Sequence, residues 1–155
     1  MDMTRQEELR QQAVDSGAEV IDRKFRSKRI KGLYCNGMIA VEDRLTEIEK
    51  ACVLAEELGH HYTATGNILD QSVPNNRKQE LRGRAYAYER LIGLRGIIKA
   101  WERGCTNTYE AAEYLEVTEE VLVDALAFYR RRYGLCVRLG AYMIYFEPLG
   151  VMKMI

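Results

Sequence analysis

Apolar and polar positions follow two different periods along the chain, and each period predicts a different kind of element. Apolar residues three or four apart indicate amphipathic helices, and Thr or Asn followed by Glu or Gln marks where several of these helices begin. The predicted helices cover 5–16, 46 to about 63–66, 77–92 with a continuation to Trp101, 108–115, and a segment that opens at Thr118.

The strand signals lie on either side of this helical region. Gly32–Asp43 reads GLYCNGMIAVED, and its Asn36-Gly37 pair tolerates the positive φ angles of a type I′ turn, so the segment predicts a hairpin. Ala18–Phe25 predicts a strand before it, and Leu135–Leu149 predicts a second hairpin around Gly140-Ala141. The element order predicts an α+β fold, mostly helical: a single domain with a small antiparallel sheet beside a central helix, then a helix-turn-helix-like helical hairpin and a C-terminal β-hairpin.

Charge is balanced overall, with 23 Lys and Arg against 23 Asp and Glu, which disfavours a broad attraction to nucleic acid or to an anionic membrane. The charge is unevenly distributed, because Arg23–Lys31 holds six basic residues in nine positions. We interpret this basic run as a solvated loop or edge strand; a patch that meets an acidic partner is the alternative.

Composition excludes several classes of protein. No run of about 18 apolar residues is present, so a membrane span is not expected, and the polar N-terminus lacks the apolar core of a signal peptide. No Gly-rich phosphate loop is present, which argues against a nucleotide enzyme. The four cysteines lie far apart with no CxxC pair, which argues against a zinc finger and favours a cytoplasmic protein with reduced thiols.

The predicted central helix carries the residues with the clearest chemistry. Its segment Ala55–Thr63 reads AEELGHHYT and resembles the H-E-x-x-H motif, in which two histidines bind a metal and the glutamate activates water. Here Glu56 stands in the first histidine position. A Glu and a His four apart also form an ordinary surface hydrogen-bonded pair, and histidines near a helix C-terminus interact with its dipole.

Helical geometry distinguishes the two Glu–His pairs. The apolar stripe of this helix comprises Ile48, Ala51, Cys52, Ala55, Gly59 and Tyr62. At about 100° per residue, Glu56 and His60 lie on the flank of this stripe, whereas Glu57 and His61 point more nearly away from the core. We therefore predict that Glu56 and His60 ligate a metal and that Glu57 is the general base. His61 is then either a group behind the ligands or an exposed side chain.

From this motif onward the sequence resembles the ImmA/IrrE family of zinc metallopeptidase-like proteins, in particular its phage and mobile-element members. The resemblance covers about residues 18–134. It is carried by the order of four segments: KGLYCNGMIAV, LTEIEKACVLAEELGHHYT with GNILD, NRKQELRGRAYAYERLI, and TYEAAEYLEVTEEVLVDALAFYRRRYG.

The resemblance implies a small sheet beside helices, an H-E-x-G-H motif on a central helix, and an acidic third ligand on the next helix. Mapped here, it makes Glu57 the catalytic base, His60 a metal ligand and Glu80 the downstream acid. Asp70, in GNILD, is either a substitute ligand or an Asp that closes a loop. Gly83 and Arg82 depart from the Glu-Ala that is commoner after that acid. Because Glu56 replaces a histidine, the site has one more hard oxygen donor and one fewer imidazole nitrogen than is usual. It would hold Zn²⁺, with Mn²⁺ or Fe²⁺ as alternatives.

By the same resemblance, residues 1–104 form a zincin-like metallopeptidase domain, and 105–155 form a helical hairpin with a C-terminal β-hairpin packed on it. The protein would cleave or inactivate the transcriptional repressor of a prophage or mobile element in the bacterial cytoplasm. The metal would polarise water and the scissile carbonyl, Glu57 would move the proton, and an exposed strand of the 32–42 hairpin would align the peptide.

Two alternatives stay open. A pseudo-peptidase, or antirepressor, would keep the fold and bind a repressor without cutting it. A helix-turn-helix at 108–133 would read DNA instead, but six acids and no Lys or Arg lie between Asn107 and Asp124, which is the wrong sign for phosphate contact. Direct binding of nucleic acid is therefore not expected, and neither is a membrane partner.

Overall fold

The computed structural model describes residues 2–64 and 73–154, and the fold within these ranges is α+β, as the sequence predicts. Two compact units divide the chain, Met1–Ala87 and Tyr88–Ile155. The functional boundary expected between residues 104 and 105 stays a prediction.

The described ranges contain six helices and six strands, in this order: α1 Arg5–Asp15, β1 Glu19–Arg23, β2 Gly32–Cys35, β3 Met38–Glu42, α2 Glu47–Ala64, α3 Val73–Leu91, α4 Gly93–Glu102, α5 Thr108–Leu115, α6 Glu119–Tyr133, β4 Cys136–Leu139, β5 Tyr142–Phe146 and β6 Leu149–Lys153.

The first unit is a three-stranded sheet with helices packed on it. The strand order is β1–β3–β2, so β3 is central and β2 lies at one edge. β2 and β3 form the predicted antiparallel hairpin, in which both Asn36 and Gly37 have positive φ. β1 runs parallel to β3, so the sheet is mixed rather than wholly antiparallel. The buried centre of this unit is apolar and includes Leu9, Ile39, Val41, Leu54 and Leu58.

The third helix begins earlier than the sequence predicts. We expected this helix to start at residue 77, whereas α3 starts at Val73. Proline in the first turn removes an N–H that has no helical acceptor there, so Pro74 is compatible with this start. We expected either Gly93 or Gly96 to interrupt the helix before its continuation to Trp101. The interruption lies at Gly93, which has a φ of +66° where α4 begins.

The second unit contains α4, α5 and α6 and an antiparallel sheet in the order β4–β5–β6. Its core includes Tyr129, Phe146, Ile144 and Leu122, all at most 1% exposed. The predicted C-terminal hairpin is present as β4 and β5. The sequence predicted no strand after this hairpin, whereas Leu149–Lys153 forms a third strand paired with β5. The mixed pattern of Gly150, Val151 and Met152 carries no clear alternation, which is why sequence periodicity missed this strand.

Candidate metal centre

The central helix α2 is buried around most of its circumference. A capping box of Thr46 and Glu49 opens it, with each side chain bonded to the backbone N–H of the other. Its buried residues cover a wide arc, while Glu56 and His60 lie on a partly exposed face. The helix therefore presents this pair toward α3 instead of burying both groups in the core.

Two glycines bring α3 close to that face. An added Cβ at Gly59 would stand 2.6 Å from the carbonyl oxygen of Gly83 and 2.9 Å from its Cα. Because neither residue has a side chain, the backbones of α2 and α3 approach each other there. The departure of Gly83 from the commoner pattern of the resembled family thus has a physical role in this chain.

The close approach assembles three candidate ligands. One ligand atom each from Glu56, His60 and Glu80 lies within 4.8 Å of the other two. His60 Nε2 lies 2.9 Å from Glu80 Oε2, so the imidazole on α2 and the carboxylate on α3 are already in contact. The structure thus brings together the three residues that the sequence predicts as metal ligands; their role as ligands stays a prediction.

Arg84 is a charged neighbour of this cluster that the sequence reasoning missed. Its Nε lies 3.8 Å from Glu56 Oε1, on a side chain that is 55% exposed. Burial raises the pKa of Glu56 and the charge of Glu80 adds to this, whereas the guanidinium of Arg84 lowers it. The signal was available, because Arg84 lies four residues after Glu80 and therefore shares its helix face.

Glu57 is buried beside the edge strand β2. Its side chain is in van der Waals reach of Gly32, where an added Cβ would stand 3.2 Å from Glu57 Cγ and 3.3 Å from Oε1. Burial, reinforced by the negative charges of Glu56 and Glu80, raises the pKa of Glu57 to about 8. The expectation that Glu57 points away from the core is wrong, because β2 covers that side of α2.

The side chain of His61 is buried, and both of its ring nitrogens are hydrogen-bonded within the fold. It is 6% exposed, so the alternative of an exposed side chain is wrong. Its Nε2 lies 3.1 Å from the carbonyl oxygen of Ser16, and its Nδ1 lies 2.8 Å from the hydroxyl of Tyr34. A carbonyl only accepts, so Nε2 carries the hydrogen and Nδ1 accepts from Tyr34, whose oxygen in turn accepts from the N–H of Gly37. This chain of bonds connects α1, α2 and the hairpin turn.

The orientations predicted for Glu57 and His61 were wrong for one reason. The predicted apolar stripe included Ile48 and Tyr62, which are 41% and 39% exposed. A single stripe assumes one packed face, but α2 is covered by α1 and by the sheet as well as approached by α3. Asp70, the alternative ligand, lies outside the described residues.

The donor set suits a divalent cation. Two carboxylates and one imidazole are accepted ligands of Zn²⁺, and they also suit the harder ions Mn²⁺ and Fe²⁺. The carboxyl groups of Glu56 and Glu80 both lie close to the imidazole of His60, and burial together with neighbouring negative charge raises the pKa values of Glu56 and Glu57. The residues present therefore fit a metal ion.

Comparison with known families agrees with this geometry. The model of the Peptidase_M78 family, described as the IrrE N-terminal-like domain, matches residues 13–127, about three quarters of the chain. A search of curated proteins found no match. The matched segment includes α2 and α3 and all three candidate ligands. The chain therefore belongs to the IrrE N-terminal-like, or ImmA/IrrE-type, family of metallopeptidase-like proteins.

Proposed function

We propose that this protein is a metal-dependent endopeptidase that cleaves a transcriptional repressor of a prophage or mobile element. The observation that carries the catalytic part is the cluster of Glu56, His60 and Glu80 with a buried Glu57 directly adjacent in the chain. Membership of the metallopeptidase family supports the same reaction class. The repressor as substrate rests on the resemblance to phage and mobile-element members, as does action in the bacterial cytoplasm.

The residues divide the chemistry between them. Glu56, His60 and Glu80 would hold the ion, with Zn²⁺ as the first candidate. When bound, the ion supplies Lewis acidity for peptide hydrolysis. Positive charge held at this place favours the ionised form of Glu57. Glu57 then takes a proton from the attacking water at its carboxylate and returns it to the leaving amine.

Two measurements test this proposal, first the metal content of the purified protein and then its cleavage of the repressor. Purified protein should carry stoichiometric metal that is lost in His60→Ala and Glu80→Ala but kept in Glu120→Ala, which removes an exposed carboxylate of α6. Incubation with the cognate repressor should give discrete fragments. Glu57→Gln should keep the metal and slow cleavage by about 10²–10⁴-fold, the usual contribution of a general base. Cleavage by Glu57→Gln at the wild-type rate would refute the base assignment.

A non-catalytic antirepressor is the second candidate, and one observation favours it. Glu56 replaces the first histidine, and both helical side chains have partners within this chain, Glu56 with Arg84 and His60 with Glu80. Such a protein would bind the repressor as well without metal as with it, and would leave the repressor intact.

The helix-turn-helix alternative has less support. α5 and α6 do form a helix pair, but the six acids between Asn107 and Asp124 are all exposed. Exposed negative charge opposes contact with phosphate. In the described residues, no helix is long and apolar enough to cross a bilayer.

A further inference from the structure

The basic run begins at Arg23, the last residue of β1, and continues through the 24–31 loop between β1 and β2. All six basic side chains are exposed: Arg23, Lys24, Arg26, Lys28, Arg29 and Lys31. In the described part of the chain, none of them makes an ion pair with a carboxylate. Like charges held this close repel one another.

The base of the loop is held in place by Glu42 at the end of β3. Its Oε1 accepts from the N–H of Phe25 at 3.1 Å and from Arg44 Nη2 at 2.6 Å. Arg44 in turn donates to the carbonyl oxygen of Phe25. At the other end, Lys31 accepts from the N–H of Glu42 through its backbone carbonyl. The charges therefore project from a loop whose two ends are fixed to the sheet.

The loop also ends at the candidate active site. Lys31 is followed by Gly32, the first residue of the edge strand β2, and Gly32 lies against the side chain of Glu57. Among the residues that the structure describes, β2 pairs only with β3, so an extended peptide can add along its other edge. Lys28 is four residues before Gly32, and its Cα is therefore no more than about 14 Å away.

We propose that the 24–31 loop selects polypeptides that carry an acidic run within about four or five extended residues of the bond beside Glu57. This inference rests on the proposed function and names its substrate class. The charge distribution supports it, since the exposed basic side chains of the run attract acidic residues of a peptide that lies along β2. An acidic polypeptide fits better than nucleic acid because the loop leads into a strand edge, which pairs with a peptide backbone.

Binding to a non-cleaving protein separates this inference from catalysis. The Glu57→Gln protein, in the presence of Zn²⁺, is titrated into labelled peptides of about twelve residues, a length that spans strand and loop. The peptides differ only at four adjacent positions, which are all Glu, all Gln or all Lys. We expect the Glu peptide to bind about tenfold more tightly than the Gln peptide, and the preference to fall with added salt.

Charge reversal at the loop is then compared with the same reversal elsewhere. Lys28→Glu with Arg29→Glu should abolish the preference for the Glu peptide and create one for the Lys peptide. Arg130→Glu with Arg131→Glu, which changes the net charge equally at exposed positions of α6, should leave it intact. An equal loss in both double variants, or equal binding of the Glu and Gln peptides, would overturn the inference. So would tighter loop-dependent binding of a random DNA duplex.

The cleavage assay identifies which proposal fails. If wild-type protein with Zn²⁺ cuts nothing but loop reversal still switches peptide preference, the peptidase proposal is wrong and the acidic-peptide surface stands. If the wild type cuts the Glu and Gln peptides with equal kcat/KM and binds them equally, the peptidase stands and the selectivity of the loop is refuted.

Discussion

Gly83 lies so close to His60 that a side chain at position 83 would occupy the space of the imidazole: an added Cβ would stand 2.5 Å from Cε1 and 2.6 Å from Nδ1. Contacts this short force one of the two groups to move. The orientation of the candidate ligand His60 therefore depends on the absence of a side chain on the facing helix.

We expect Gly83→Ala to weaken metal binding by about 10–100-fold, the usual effect of disturbing a group that orients a ligand. Alanine is the better helix former by about 1 kcal/mol, so helix propensity works against any loss of stability. Competition with a chromophoric chelator measures the affinity. Gly150→Ala is the control, because nothing lies within 4 Å of an added Cβ there. Unchanged affinity in Gly83→Ala would show that His60 tolerates displacement.

Glu56→His restores the histidine of the H-E-x-x-H motif and should shift metal preference toward Zn²⁺. An imidazole nitrogen is a softer donor than a carboxylate oxygen, so we expect the ratio of Zn²⁺ to Mn²⁺ affinity to rise about tenfold or more. Glu56→Gln keeps the size of the side chain but removes its charge, and should lower affinity for both ions. Competitive titration of the two metals measures the ratio, and an unchanged ratio would argue that Glu56 is not a ligand.

The raised pKa of Glu57 predicts how the stability of the metal-free protein depends on pH. The folded state holds the proton up to about pH 8, whereas the unfolded chain releases it near pH 4.5. The folded state thus binds more protons between these values, and the free energy of unfolding falls as pH rises through this window. Urea unfolding at several pH values measures the slope, which should be smaller in Glu57→Gln. Identical slopes in the two proteins would contradict the burial of an ionisable group here.

The lowered pKa of Glu42 predicts the opposite pH dependence of stability, a free energy of unfolding that falls as the pH becomes acidic. Hydrogen bonds from Arg44 and from the N–H of Phe25 lower the pKa of Glu42 to about 2. Its contribution to stability is fully present above pH 4.5 and is lost as pH falls toward 2. Glu42→Gln should reduce the acid-induced loss of stability. Glu120→Gln, at an exposed position on α6, should leave the acid profile unchanged.

Tyr34→Phe tests whether His61 is structural. The substitution removes the hydroxyl that donates to His61 Nδ1 and accepts from the N–H of Gly37. Loss of partners for partly buried groups should lower the free energy of unfolding by about 1–2 kcal/mol. Metal affinity should be retained, because His61 is not among the clustered ligand atoms. Tyr114→Phe, at an exposed tyrosine, is the matched control.

The sequence predicted the local elements well because they depend on short-range signals. Capping boxes at Thr4 and Thr46 and the turn at Asn36-Gly37 are visible in a few residues, and the structure confirms each of them. Glu56 and His60 are four apart on one helix, so helical periodicity alone brings them together. Glu80 required the family resemblance, because no local rule brings a residue of another helix to that face.

What the sequence could not predict depends on packing between elements. The burial of Glu57 follows from the backbone of Gly32 on a different element, and the close approach of α2 and α3 follows from Gly59 meeting Gly83. The parallel pairing of β1 with β3 is also a tertiary feature. Periodicity describes which face of a helix is apolar, but it does not reveal how many neighbours cover that helix.

The first helix has a practical consequence for anyone who prepares a shorter version of this protein. The family match begins at residue 13, yet α1 begins at Arg5 and buries Leu9 completely. Gln12 donates from its amide nitrogen to the hydroxyls of Tyr62 on α2 and Tyr86 on α3. A chain trimmed to the matched boundaries would keep every candidate ligand and lose the contacts that span both ligand-bearing helices. A failure of that fragment to bind metal would reflect where it was cut, and it would be a false negative for the site.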